Sequence, residues 1–427
     1  MTRVVISGVG LVTALGTGTE ATWQALIAGK SGVDRLKGFD ATSLRTQLGA
    51  EIQNFDATPF VAKRRTLRNM TRNDQLAVAG AALAVQDAGS VLANGDGDRA
   101  GLFIGGNKEI SEPSKVLDAV LVSRNADGSV DMARMGTEGA AEFYPLFYVE
   151  GLQAAALFYI SEPHGLRGTN TYFAGTGDAG LTAIGRAYRA VRRGEATVAV
   201  AGGFDDPTCW WSMTKLDALG VLTGHNDLGA AACRPYDRDR DGYVLGEGAA
   251  FVVLEDEDTA RKRGAEIYAE VVGVGSGFDL NGLVNPSPDG RALANAIGGA
   301  LDEAGVNASA VDYIATDGCA TAPGDASEAA ALRSALGSAA SRVAASSVKA
   351  ATGHLVAAAG ALNVAVAALA IRHATIPPTL NLTNVDPACQ GIDWVPGEAR
   401  GLRVGHALAL ARGFEGQNVA LLLRAAG

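Results

Sequence analysis

Three short stretches carry side chains able to act as nucleophile, acid or base. In the first, Thr171-Tyr172-Phe173-Ala174 reads as a strand running into Gly175-Thr176-Gly177, with a helix expected from about Asp178. A helix start presents free N–H groups and the positive end of a dipole, which favours an anion such as a thiolate. Gly177 has no side chain, so no covalent intermediate can form on it. Asp178 is expected to cap the helix or complement its dipole. The second stretch is Ala315-Thr316-Asp317-Gly318-Cys319. Asp317 brings a carboxylate, which donates no hydrogen bond unless protonated. Cys319 is expected to pack as a small residue. The third stretch holds Ser346-Ser347, Lys349 and Thr352-Gly353-His354. Lys349 and His354 carry the remaining acid–base capacity, with a hydrogen-bonding role in the core as the alternative.

These stretches must be positioned by an alternation of short β-branched runs and alanine-rich helical segments. The runs include Arg3–Gly8, Arg99–Gly105, Thr197–Gly203, Ala249–Leu254, Glu266–Val274 and Asn418–Leu423. Such alternation predicts an α/β chain whose sheets are covered by helices. Two segments resemble one another: Val4-Val5-Ile6-Ser7-Gly8-Val9-Gly10 and Val271-Val272-Gly273-Val274-Gly275-Ser276-Gly277. Each opens a half that also contains a strand, a glycine turn and a long alanine-rich helix. The pattern predicts an internal duplication, divided as 1–258 and 259–427. The most apolar run, Leu355 to Ile371, is short for a membrane span and reads as a buried core helix.

The 427 residues exceed one ordinary domain, and 48% hydrophobic content is that of a globular chain. A net charge of −10 with no basic stripe argues against a nucleic-acid binder. The short clusters Lys63-Arg64-Arg65 and Arg261-Lys262-Arg263 read as solvated helix faces, with docking of an acidic partner as the functional alternative. Cys209, Cys233, Cys319 and Cys389 form no Cys-x-x-Cys pair, and the histidines have no ligand spacing. No metal site or disulfide framework is expected, and a reducing cytoplasm fits. The opening Met1-Thr2-Arg3 followed by Val4-Val5-Ile6 reads as a strand, not a signal peptide, and no membrane association is expected.

Several motifs then resemble, in order along the chain, those of condensing enzymes of the β-ketoacyl synthase family. They are Arg234-Pro235-Tyr236-Asp237-Arg238-Asp239-Arg240-Asp241-Gly242 through Gly246-Glu247-Gly248, and Pro323-Gly324-Asp325 followed by Glu328-Ala329. Thr352-Gly353-His354-Leu355, Pro377-Pro378-Thr379-Leu380-Asn381 and Gly413-Phe414-Glu415-Gly416-Gln417-Asn418 complete the set. The resemblance implies a thiolase-like fold of two similar halves in five αβαβα layers, and a dimer. It implies a Cys-His-His set in active members: the cysteine takes the acyl chain as a thioester, and the histidines serve malonyl decarboxylation and the enolate oxyanion. On this chain the cysteine position falls on Gly177 and the first histidine on Asp317, while Lys349 and His354 are retained. Phe414 matches the family's gating phenylalanine.

A family member that keeps the fold and loses the nucleophile resembles the chain-length factor of a type II polyketide synthase. Many such subunits carry glutamine where this chain has Gly177, and the retained Thr352-Gly353-His354 points toward systems making reduced polyenes. The implied partners are an active ketosynthase subunit and an acyl carrier protein whose phosphopantetheine holds the chain; no other cofactor is implied. By resemblance, the tunnel wall is expected from Lys108, Glu109, Glu112, Ser114, Val116 and Leu117, with an exposed helix face as the alternative. The stretch with Tyr144, Phe147, Tyr148 and Phe158 is expected at the subunit interface, or in an ordinary core. Two other readings stay open: a stand-alone decarboxylase or acyltransferase kept alive by Lys349 and His354, and an inactive scaffold that binds a carrier protein.

Overall fold

The computed structural model describes residues 2–427 apart from 90–91, 93–96, 108–112, 144, 151 and 153, and apart from the side chains of 115, 148 and 150. Eleven strands carry the architecture: β1 (Val4–Thr13), β2 (Ala100–Gly106), β3 (Asn170–Ala174), β4 (Val198–Asp205), β5 (Gly248–Asp256), β6 (Ala269–Phe278), β7 (Tyr313–Ala315), β8 (Ala344–Ser346), β9 (Asp393–Trp394), β10 (His406–Arg412) and β11 (Gln417–Arg424). Their spatial order is β9-β8-β7-β10-β11-β6-β1-β5-β4-β2-β3. Read outward from the middle, β1-β5-β4-β2-β3 and β6-β11-β10-β7-β8 follow the same path. In each, two antiparallel pairings are followed by two parallel ones. The expected duplication is thus present in the topology. The halves join through a short antiparallel contact, Val4–Ile6 against Ala269–Val271.

Seven helices complete the layers: α1 (Arg72–Asp87), α2 (Pro113–Val122), α3 (Ala155–His164), α4 (Ala179–Arg192), α5 (Arg291–Ala304), α6 (Ala322–Leu336) and α7 (Ala359–His373). α4 and α7 pack on each other between the two half-sheets, α1 covers the outer face of one and α5 that of the other. This is the five-layer thiolase-like arrangement. Close packing requires glycine at the strand–helix contacts. A Cβ on Gly10 of β1 would run into the Gly80 carbonyl of α1, and one on Gly275 of β6 into the Ala296 carbonyl of α5. That shared need explains the two similar glycine-spaced segments. α1 begins at a capping box: Thr71 accepts from the Asp74 N–H, and Asp74 accepts from the Thr71 N–H at 3.0 Å.

α7 is buried along Ala359–Ala370, as expected for a core helix. Among the described residues, only the stretch Val356–His373 is long and apolar enough to cross a membrane, and it lies inside the fold.

Candidate functional site

The three chemical stretches meet at the carboxyl ends of parallel strands, where ligands of α/β folds usually bind. β3 delivers Gly175–Asp178 to the start of α4, β7 delivers Asp317, β8 delivers Lys349 and His354, and the β10–β11 hairpin delivers Gly413–Gly416. A cavity of about 60 Å³ is lined by Asp317, Cys319, His354, Arg412, Phe414 and Tyr243, among others.

Much of the motif set builds the wall of this cavity. Glu328 accepts from the Asp317 and Gly318 N–H groups, both at 2.8 Å, and from the Tyr236 hydroxyl at 2.8 Å. Asp325 accepts from the Tyr236 N–H at 2.7 Å and the Ala320 N–H at 3.0 Å, with the Arg240 guanidinium 3.3 Å away. Burial pushes the Asp325 carboxyl up to about 7, against the lowering influence of Arg240. These residues fix the Asp317–Ala320 loop.

The remaining polar groups are bound to each other. The Lys349 ammonium lies 2.5 Å from Asp317 Oδ1 and donates to the Asp317 carbonyl at 2.5 Å. Both side chains are buried. Burial pushes the Asp317 carboxyl up; the charge and hydrogen bond of Lys349 outweigh it and hold the group below the usual range. His354 Nδ1 accepts from the Val356 N–H at 3.0 Å, and its ring sits 4.9 Å from the Tyr243 ring. Burial, helped by Lys349, lowers the imidazole to about 3, so it is neutral with the proton on Nε2. The folded value lies below the unfolded one. Stability from neutral His354 is therefore complete above about pH 6.5 and is lost as pH falls toward 3. His354→Gln should flatten urea stability against pH between 6.5 and 4, by up to about 1.4 kcal/mol per pH unit. An unchanged slope would place the proton uptake elsewhere.

Gly177 lies at the turn into α4, facing His354: a Cβ built on it would stand 3.7 Å from His354 Cε1. The same Cβ would collide with the Arg412 carbonyl oxygen, so backbone already occupies the space a side chain needs. Cys319 lines the cavity, but burial and nearby Asp325 push its thiol up to about 12, so it stays protonated. Its sulfur lies 3.1 Å from the Thr321 hydroxyl. Asp178 stands at the cap position and makes no side-chain capping bond, so of its two expected roles only that of dipole partner remains.

Two residues carry weight that their sequence context did not signal. Thr176 Oγ1 accepts the Phe414 N–H at 2.9 Å and donates to Glu415 Oε2 at 3.1 Å, pinning the hairpin to the turn. A hydroxyl between two glycines was the available sign. Asp205, at the end of β4, accepts from Asn107 at 2.9 Å and from the Ala357 N–H at 3.1 Å. It borders a second cavity of about 320 Å³, also lined by Gly175, Leu216, Val284 and Phe414. Phe414 thus stands between the two cavities.

Of the expected tunnel residues, Ser114 and Val116 on α2 are partly buried and Leu117 is 43% exposed. Lys108, Glu109 and Glu112 lie outside the described residues. Of the expected interface residues, Phe147 is half-buried, 4.7 Å from the Phe143 ring, and Phe158 on α3 is 64% exposed. Tyr144 and the Tyr148 side chain lie outside the described part. Among the described residues, no group of three or more His, Cys, Asp or Glu side chains could hold a metal.

Residues 1–260 match the model of the β-ketoacyl synthase N-terminal domain, and residues 268–383 that of the C-terminal domain. The chain is 35% identical to a 3-oxoacyl-[acyl-carrier-protein] synthase 2 of Coxiella burnetii over 99% of this chain and 98% of that protein. It is 34% identical to the Synechocystis protein of the same name over the same shares. A β-ketoacyl synthase from Burkholderia phymatum superposes with a TM-score of 0.89 at 31% identity, covering both chains fully. The ishigamide ketosynthase/chain length factor superposes at 0.88 and 29% identity, again over both full chains. A type II polyketide acyl-carrier protein complexed with its hexaketide-bound ketosynthase gives 0.87 and 28% over the same shares. With both halves matched and near-complete coverage, the chain belongs to the β-ketoacyl synthase family.

Proposed function

We propose that this chain is a chain-length factor: a non-catalytic subunit that pairs with an active ketosynthase and closes its acyl tunnel while a polyketide, of the reduced-polyene kind, grows on an acyl carrier protein in the cytoplasm. The observation that carries this reading is the filled nucleophile space. The Arg412 carbonyl stands where a side chain at Gly177 would go, and Lys349, whose charge acts on His354, is paired with Asp317. The curated relatives are named as synthases, so overall identity does not separate the two roles; the filled space at Gly177 and the Lys349–Asp317 pair favour the non-catalytic one. Likeness to the ishigamide ketosynthase/chain length factor supports the pairing. We divide the halves at 258/259.

Surface chemistry supports a partner. β3 is the outer strand of its sheet and is at least partly exposed throughout. Large exposed apolar side chains also lie on two helices of the same half: Leu117 and Leu121 on α2, and Phe158 on α3. An unpaired strand edge and exposed apolar side chains each call for cover.

Affinity purification from native cells should recover a ketosynthase of similar length, with an intact Cys-His-His set, in near-equal amount. Recovery of the chain only with itself would favour the stand-alone reading, for which His354 and Lys349 are the retained groups. In the reconstituted pair, enlarging Ser114 or shrinking Leu117 should change product length. One two-carbon unit against a wall costs about 1–3 kcal/mol, enough to shift the favoured length roughly tenfold. Unchanged products from both variants would remove α2 from the tunnel wall.

A further inference from the structure

We propose that the turn between β3 and α4 holds a monovalent metal cation, bound by Asp178, Gln417 and Thr176. Asp178 is 7% exposed, and its Oδ1 has no hydrogen-bond partner among the described residues. Gln417 Oε1 is also buried without a donor. The two oxygens converge on one small space. A Cβ on Gly413 would collide with Asp178 Oδ1 and stand 3.1 Å from both Gln417 Oε1 and Thr176 Oγ1. Glycine at 413 keeps that space open.

The Thr176 hydroxyl has its proton on Glu415 and one lone pair on the Phe414 N–H, which leaves a second lone pair for an ion. Two acceptor oxygens facing one space repel each other, and a buried carboxylate without counter-charge is strongly unfavourable. Glu415 adds a second negative charge nearby. A hard cation answers all of this at once, because carboxylate, amide and hydroxyl oxygens are its preferred ligands. A single charge fits best: one carboxylate ligates directly, and the start of α4 adds partial positive charge. The ion would tie the turn, through Thr176 and Asp178, to the β10–β11 hairpin, through Gln417. It would so hold Phe414 between the two cavities. The inference does not depend on the chain pairing with a ketosynthase.

The test is thermal unfolding of the full chain in potassium or sodium chloride against choline chloride at equal ionic strength. The metal salts should raise the midpoint saturably, by about 2 °C or more. Asp178→Asn should abolish the difference. Gln417→Leu, which keeps a side chain of similar bulk, should do the same if the first variant folds poorly. A crystal soaked in rubidium should show an anomalous peak between Asp178 and Gln417. Equal melting in all three salts, a metal effect surviving in Asp178→Asn, or a peak-free map with the Gln417 amide nitrogen turned onto Asp178 would each overturn the proposal.

Discussion

Lys349→Met should destabilise the fold by about 3–5 kcal/mol at neutral pH, the cost of leaving a buried charge without its partner. Lys349 and Asp317 are both buried, and the ammonium serves the Asp317 carboxylate and carbonyl together. Once the ammonium is gone, the carboxylate is left in a pocket whose imidazole is neutral. Its folded pKa should then rise above the unfolded value. The variant should therefore recover stability as pH falls through that raised value, because protonation removes the stranded charge. Adding Asp317→Asn should restore most of the loss at pH 7, since removing both charges is far cheaper than removing one. Urea unfolding of the two variants across pH checks all three statements. A loss below about 1 kcal/mol for Lys349→Met would mean that water reaches the pair. The functional consequence follows from the same contact. A lysine held this way has its charge engaged by Asp317 before any substrate carboxylate arrives, as the proposed non-catalytic role requires.

Sequence pattern and structure agree where periodicity and glycine spacing carry the information. The six β-branched runs fall on strands, the repeated glycine segments fall on β1 and β6, and the alanine-rich run becomes the buried α7. The motif residues Tyr236, Arg240, Asp325 and Glu328 form one buried network, for which their joint presence was the sign. What stayed hidden depends on backbone position. The Arg412 carbonyl reaches Gly177 because of where β10 ends against β11, and no side-chain pattern encodes that. Asp178 was expected to cap α4 or complement its dipole; the cap is not made, because its backbone is already helical, at φ −84° and ψ −22°. A capping residue needs an extended backbone to aim its oxygen at the first N–H groups. The Lys349–Asp317 contact spans 32 positions and joins two strand ends that become neighbours only once β7 and β8 pair.

Gly177→Cys should form no acyl adduct, as read by intact mass after incubation with an acyl-loaded carrier protein, and should lose about 1–3 kcal/mol of stability. The stability loss comes from the Cβ, which meets the Arg412 carbonyl. Gly177→Ala should therefore lose nearly as much, and that comparison separates steric cost from thiol chemistry. The missing adduct has three further causes. The Asp317 carboxylate lines the same cavity as His354, which Gly177 faces, and a negative charge there disfavours a thiolate. His354 is neutral, so it contributes no positive charge to lower the thiol pKa. The Phe414 N–H, a backbone donor at the cavity wall, is already given to Thr176 and is not free for an oxyanion. Replacing Asp317 by histidine in the Gly177→Cys background would remove the first of these and leave the collision and the occupied donor. Acylation of that double variant should remain near background until Thr176 is also changed and the hairpin is free to move. Robust acylation of Gly177→Cys alone would show that the Arg412 carbonyl yields to a side chain, and the non-catalytic reading would lose its main support.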